Sequence, residues 1–351
     1  MKVTISDVAR RAGVSKSTVS RVMNDSPGVG EETRVLVLGA GAELGYQPSA
    51  VARSLSTGRT KVIGLVISDI TNPFFPDVAR GVEDVCATYD YNVILCNTDN
   101  RPGKEEAHVR VLSDKGVDGI VFTSVRMGET NLEGLRRRGI PFVLAGRTLE
   151  GCPAWTVEVD NFLGGCLATE HLIHLGHRDI AFVAGPPGVS SAEQRLAGYQ
   201  QALARNQLRF DPSQVYPGDF RHASGLAAAA ALCADRKPPT AVFAANDFTA
   251  VGLLEGLLNL GLNVPGDISV VGFDDIALAG YPPVNLTTVS QPRYDLGATA
   301  ARLLIRLIEL THAGRREAET GVASQIVLVP KLVVRGTTAP PRPESIACGA
   351  P

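Results

Sequence analysis

Between residues 4 and 24 the apolar positions recur at helical spacing in two short bursts, Val8–Ala9–Ala12 and Val19–Val22, with Gly13 between them. Glycine gives the permissive backbone that a tight turn needs. Ser15 is placed to cap the second burst. Two short helices joined by a brief glycine-containing turn form a helix-turn-helix pattern. The spacing predicts a third helix over residues 31–44, followed by a polar connector over 45–60 with one short helical stretch.

From Lys61 onward the period changes. Continuous apolar runs appear at 62–68, 93–96, 119–123 and 141–146, and the first three are each followed by a helical pattern. The rhythm restarts at 180–185, 241–246 and 268–273. Alternating strands and helices predict βαβ units and parallel sheets, and two sets of them predict two α/β subdomains. In the first helix of the series Asn72 is a candidate cap, Pro73 stands at the first position, and Phe75, Ala79, Val82 and Cys86 share a face. The Pro-rich end is expected to be disordered.

The length of 351 residues suits two or three domains. The overall charge is −2, but residues 1–60 carry eight Lys and Arg against five acids, a local balance of +3 that leaves −5 for the rest. A basic end on an acidic body points to a polyanion partner. No apolar run approaches membrane-spanning length, and the first residues lack the apolar core of a signal peptide. The cysteines at 86, 96, 152, 166, 233 and 348 are scattered, which fits reduced thiols in a cytoplasmic protein.

The second helix opens with Lys16, Ser17 and Thr18 and continues with Ser20 and Arg21. Lys and Arg suit guanine edges, and hydroxyls suit phosphates. The run TISDVARRAGVSKSTVSRVMN, then EETR, GYQPSAVARSL and a two-lobed α/β body, resembles the LacI/GalR family of bacterial transcription repressors from about Thr4 to Val334. The resemblance implies a helix-turn-helix DNA-binding headpiece (residues 1–46) and a hinge helix with linker (47–60). After them come a periplasmic-binding-protein-like effector and dimerisation domain (61–338) and a disordered tail (339–351). Within the effector domain the first subdomain is expected at about 61–160 and 291–321, the second at about 161–290 and 322–338.

By the same resemblance, Lys16, Ser17 and Arg21 fall at base-reading positions, and Thr4, Ser15, Thr18, Ser20 and Asn24 at positions that contact the DNA backbone. The hinge segment PSAVARSL matches one that folds on operator DNA, with Leu55 as a minor-groove wedge and Ala52 beside it. An apolar wedge unstacks a base step and kinks the duplex. The expected protein is a cytoplasmic homodimer on a pseudo-palindromic operator, with no enzymatic step, no cofactor and no metal. A tail without heptads argues against a coiled-coil tetramer.

Parallel sheets present ligand groups at the C-terminal ends of their strands. That rule selects Asp69, Asn72, Phe74 and Phe75 after the first strand, Arg147 after the fourth, and Ser191 and Arg195 after the strand at 180–185. It also selects Asn246 and Asp247 after 241–246, and Asp274 with Asp275 after 268–273. The family resemblance places Phe74, Arg147, Arg195, Phe220, Asn246 and Asp274 first, with Asp160, Ser191 and Gln291 behind them. Carboxylate, guanidinium and aromatic ring together suit a sugar or sugar derivative, with a nucleobase or nucleoside second.

Three features pull elsewhere. Gly39 and Gly41 fall in the third helix, where each should cost about 1 kcal/mol relative to Ala, and where the family carries charged residues. Read as strand–turn–helix, the stretch with Gly39, Gly41 and Gly45 mimics a dinucleotide-binding fingerprint and offers a short-chain-dehydrogenase alternative, although no Tyr is followed four residues later by Lys. His171 and His174 lie one turn apart but lack the intervening Glu of a zinc motif, and the family resemblance implies that Gly176–His177 simply ends a helix, where a basic residue is suited. A solute-binding sensor without DNA function is the other alternative, and residues 1–60 argue against it.

Overall fold

Capping side chains set where the first helices begin. In the computed structural model, which describes residues 3–24, 27–47, 54, 58–123, 129–148, 154–234, 238–313 and 325–342, helix α1 (Ile5–Ala12) opens on a capping box. Thr4 N and Oγ1 both donate to Asp7 Oδ2, at 3.0 and 2.7 Å. Gly13 closes the helix with φ +67°. Ser15 Oγ then accepts from Thr18 N at 3.1 Å and starts α2 (Lys16–Met23). Helix α3 (Glu31–Leu44) ends on Gly45 at φ +64°. Val8, Ala9, Val19, Val22, Val37 and Ala40 form the shared core of the three helices.

Residues 1–62, with 116–118, form one unit, and the remainder forms a second. The first unit overturns the dinucleotide alternative: Val35–Leu38 is helical, so Gly39 and Gly41 lie inside α3 instead of in a phosphate-binding turn. Within the hinge only Ser54 is described, as helical, so Ala52 and Leu55 lie outside the described residues.

The second unit holds two sheets. The first contains β1 (Val62–Ile67), β2 (Asn92–Asn97), β3 (Gly119–Phe122), β4 (Phe142–Ala145), β5 (Trp155–Val159) and β11 (Gln325–Leu328), in the order β11-β5-β4-β3-β1-β2. The other contains β6 (Ile180–Val183), β7 (Val215–Tyr216), β8 (Ala241–Ala244), β9 (Ser269–Asp274), β10 (Thr287–Ser290) and β12 (Lys331–Val333), in the order β12-β10-β9-β8-β6-β7. β12 is antiparallel to β10, while β9 and β10 run parallel. Every residue of β3, β4, β5, β6, β8 and β9 is buried, as strands covered on both faces require.

Helices α4 (Phe74–Thr88), α5 (Pro102–Asp114) and α6 (Glu129–Arg137) follow the first three strands. Helices α7 (Asn161–His174), α8 (Ser190–Arg205), α9 (His222–Ala234) and α10 (Asp247–Asn259) belong to the second lobe, and α11 (Arg293–His312) returns to the first. α4 and α11 meet at two glycines: a Cβ on Gly81 would stand 2.1 Å from Tyr294 O, and one on Gly297 would stand 2.0 Å from Val78 O. Side chains there would force the helices apart.

The chain crosses between lobes after β5, after β10 and between β11 and β12. The last crossing corrects the expected boundary. β11 pairs with β5 in the first lobe, and the second lobe resumes only at Lys331. The tail correction is similar. Ala339 N donates to Ser269 Oγ at 3.1 Å, Ser269 Oγ donates back to Ala339 O at 3.0 Å, and Arg342 pairs with Asp267 at 2.6 Å. Residues 339–342 are thus tied to the second lobe, and 343–351 lie outside the described residues. His177 belongs to the same attachment, donating through Nε2 to Ala339 O at 2.9 Å.

Candidate functional site

Two surfaces gather the residues singled out from the sequence. On the first unit, Val19 and Val22 turn α2 inward, which leaves Lys16, Ser17 and Arg21 exposed on its other side. Ser15 Oγ lies 2.7 Å from Ser17 Oγ and 2.8 Å from Thr18 Oγ1, a hydroxyl cluster at the helix N-terminus. Hydroxyls at a helix N-terminus beside a lysine suit a phosphate oxygen. Asn24 closes α2, and its Nδ2 donates to Ser20 Oγ at 3.5 Å. Thr4 is held in the capping box, its hydroxyl turned to Asp7.

In the second unit, strand ends from both lobes open on one cleft. Ten expected residues line it: Asn72, Phe74, Phe75 and Arg147 from the first lobe, Ser191, Arg195, Phe220, Asn246 and Asp274 from the second, and Gln291 at a crossover. Asn72 Oδ1 accepts from Phe74 N at 3.0 Å, which sets the turn that delivers both phenylalanines. The two rings meet edge to face at 5.2 Å. Arg147 Nη2 donates to Ser68 Oγ at 3.1 Å.

Arg195 is the centre of the second-lobe wall. Its Nε donates to Asn161 Oδ1 at 2.9 Å and its Nη1 to Ala245 O at 2.6 Å. The guanidinium lies 3.8 Å from the centre of the Phe273 ring and 5.5 Å from that of Phe220. Burial pulls its pKa down to about 10, against the pull of Asp274. Asp274 stands 3.6 Å away and accepts from Gln291 Nε2 at 2.5 Å. Burial raises the Asp274 carboxyl above the ordinary carboxylate range, and Arg195 opposes this.

Four of the selected residues stand elsewhere, among them Asp275, which pairs with Arg335 at 2.6 Å. Asp160 caps α7, accepting from Leu163 N at 2.8 Å. Asp247 lies behind the cleft wall, where Thr288 Oγ1 donates to Oδ1 at 2.5 Å and Ile276 N donates to Oδ2 at 2.9 Å. Burial raises its pKa too, and the nearby Asp274 adds to the rise. Asp69 pairs with Arg221 of the second lobe at 2.9 Å. Sequence reasoning passed over Arg221, and also Thr123 and Ala145, which do line the cleft. Thr123 closes the run at 119–123, so the strand-end rule applied to β3 would have found it; Arg221 carries no sequence signal. Among the described residues no cluster of His, Cys, Asp and Glu is arranged to hold a metal ion, and no helix is long and apolar enough to cross a membrane.

Residues 4–49 match the family model described as bacterial regulatory proteins, lacI family, and residues 169–338 match a periplasmic binding protein-like domain. The ribose operon repressor of Halalkalibacterium halodurans is 40% identical over 336 residues, covering 95% of this chain and 97% of that protein. A solved lac repressor dimer bound to operator and the anti-inducer ONPF matches with a TM-score of 0.84 and 29% identity, over 97% of this chain and all of that one. A complex of the transcriptional regulator CelR with cellobiose matches with a TM-score of 0.72 and 33% identity, over 96% of this chain and all of that one.

Proposed function

The chain belongs to the lacI family of bacterial regulatory proteins, and on that premise we propose that it is a transcriptional repressor whose operator affinity is set by a sugar or sugar derivative held between its lobes. The observation that carries the sugar reading is the lining of the cleft. Asp274 and Arg195 offer an acceptor and a fork of donors, Asn72, Asn246 and Gln291 add amides, and Phe74, Phe75 and Phe220 supply apolar faces. Hydroxyls around a sugar ring meet the first two sets, and its C–H face meets the third. The sugars named with two of its relatives, ribose and cellobiose, support the class.

As a homodimer the protein presents two copies of α2 to a pseudo-palindromic site, because two-fold protein symmetry is mirrored in the DNA. Lys16, Ser17 and Arg21 read base edges, while Thr4, Ser15, Thr18, Ser20 and Asn24 hold the backbone. Leu55, with Ala52 beside it, wedges the central step. Sugar binding changes the relation of the lobes and thereby biases the hinges, a coupling between two sites through one two-state element.

The test is selection of duplexes from a random pool by the full-length protein at about 0.15 M salt, where non-specific phosphate attraction is weakened. The enriched duplex then serves as the probe in titrations with panels of sugars and nucleosides. Enrichment of a palindrome whose binding a sugar alters supports the proposal. A response confined to nucleosides replaces the sugar half of it, and failure to enrich any palindrome with or without added sugars and nucleosides overturns the DNA half.

A further inference from the structure

Asp274 reaches the cleft from a backbone that side chains disfavour. Its φ is +125°, and that of the next residue, Asp275, is +57°. Two consecutive non-glycine residues at positive φ persist where neighbours fix them. Gln291 holds the Asp274 carboxylate, and Arg335 Nη2 pairs with Asp275 Oδ1 at 2.6 Å. Arg293 grips the turn from its other side, with Nη1 donating to the main-chain carbonyls of both Asp274 and Asp275.

Arg293 is also the first residue of α11, whose Leu296, Leu303, Leu304, Leu307 and Ile308 lie in the core of the first lobe. Its Nε donates to Asp77 Oδ2 on α4 at 2.8 Å. Asp77 is one turn along α4 from Phe74, which lines the cleft. One guanidinium therefore joins the ligand-facing strand end of the second lobe to a first-lobe helix that also faces the ligand. It does so without lining the cleft itself.

We propose that Arg293 is a positioning residue for the allosteric response, passing occupancy at Asp274 to α4 through the Asp77–Arg293–carbonyl link. The proposal rests on the reading that Asp274 meets the effector. A ligand that draws on the Asp274 carboxylate changes the turn, and the turn and Asp77 share one rigid, planar donor fork. A lysine carries the same charge but lacks that fork, so charge alone does not preserve the link.

The test uses full-length protein and two variants, Asp77→Asn and Arg293→Lys. Ligand-free hydrogen exchange is read at the segment containing Ile276, whose N–H is bound by Asp247. Asp77→Asn alters only the first lobe. The link predicts at least about fivefold faster exchange at 274–276 in both variants, with α9 and α10 at wild-type rates. Wild-type exchange at 274–276 in Asp77→Asn overturns the proposal, because a purely local role for Arg293 leaves that segment indifferent to Asp77.

In a second arm D-ribose and cellobiose are titrated with and without operator DNA. With a sugar that binds wild type, both variants keep its Kd within about threefold while the ratio of operator affinities with and without sugar shrinks toward one. An intact ratio overturns the proposal. Failure of both sugars to bind wild type counts against those sugars as effectors, and the exchange result still decides the role of Arg293.

Discussion

Replacing Gly39 by alanine should stabilise α3, and replacing Gly41 should stabilise it less. Both glycines lie inside the helix, where Gly costs about 0.8–1 kcal/mol relative to Ala through backbone entropy. Gly39 is exposed, and a Cβ built on it meets no atom within 4 Å, so alanine collects that whole difference. At Gly41, which is buried, the Cβ would stand 3.0 Å from Cε of Met23, the last residue of α2. The methyl end of that half-buried, flexible side chain must give by a few tenths of an ångström, which offsets part of the gain. The assay is hydrogen exchange of the 31–44 peptide in the full-length protein. A gain of about 0.8–1 kcal/mol slows exchange roughly four- to fivefold, since 1.4 kcal/mol is tenfold. Gly39→Ala should reach that figure. Gly41→Ala should slow exchange less. Equal slowing in both variants would refute the packing argument, and no slowing in Gly39→Ala would refute the assignment of Gly39 to an unencumbered helix face.

Asp274→Asn should weaken sugar binding about 10- to 100-fold, the worth of one charge-assisted hydrogen bond of about 1.5–3 kcal/mol, while ligand-free operator binding persists; an unchanged sugar response in a gel-shift titration removes Asp274 from the site. Arg21→Ala should relax preference at one base pair of each half-site, seen by repeating the duplex selection, whereas an unchanged consensus denies it a base-reading role. Leu55→Ala should lower operator affinity and leave sugar affinity intact, and equal losses in both titrations contradict the wedge. Burial raises the pKa values of Asp247 and Asp274, to about 7 and about 6, so folding favours their protonated forms. The stability they contribute is full below the unfolded carboxylate value and is lost as pH rises to about 7. His171 and His177, lowered by burial, lose their contribution in the other direction as pH falls. The urea midpoint of wild type relative to Asp274→Asn should therefore decline between about pH 4 and 7 and level off above, and a flat difference across that window contradicts the buried-carboxylate account.

The central strands were legible because both of their faces are buried and their sequences are unbroken apolar runs, as in β3, β4 and β8. β5 was not. Its sequence, WTVEV, mixes polar residues into a wholly buried strand. Glu158 is tolerated there because Gln325 Nε2 donates to it at 2.8 Å from β11, a partner 167 residues away that no local pattern reveals. β11 and β12 were missed for a related reason. Both are short strands at sheet edges, β11 alternating exposed with half-buried positions and β12 placing an exposed Lys331 before two half-buried residues, so neither carries a continuous apolar signal. The cleft was legible to the extent that strand ends define it. Asp69 and Asp160 also stand at strand ends, yet one meets Arg221 and the other caps α7, choices fixed by neighbours across the fold.

The same contrast explains why the cleft is where ordinary packing rules fail together. Elsewhere in the second lobe the core is apolar and regular, with Ala181, Val183, Val242 and Val270 among its members. Around Asp274 a fully buried arginine, two buried carboxylates and two residues at positive φ crowd one strand end. Each feature costs stability on its own. They coexist because Thr288, Gln291, Arg293 and Arg335 each supply a hydrogen bond to Asp247, Asp274 or Asp275. A fold selected only for stability would replace such a cluster with apolar side chains of similar volume. Its retention where three phenylalanines and both lobes converge is what a site built to exchange internal hydrogen bonds for those of a polyhydroxylated ligand requires.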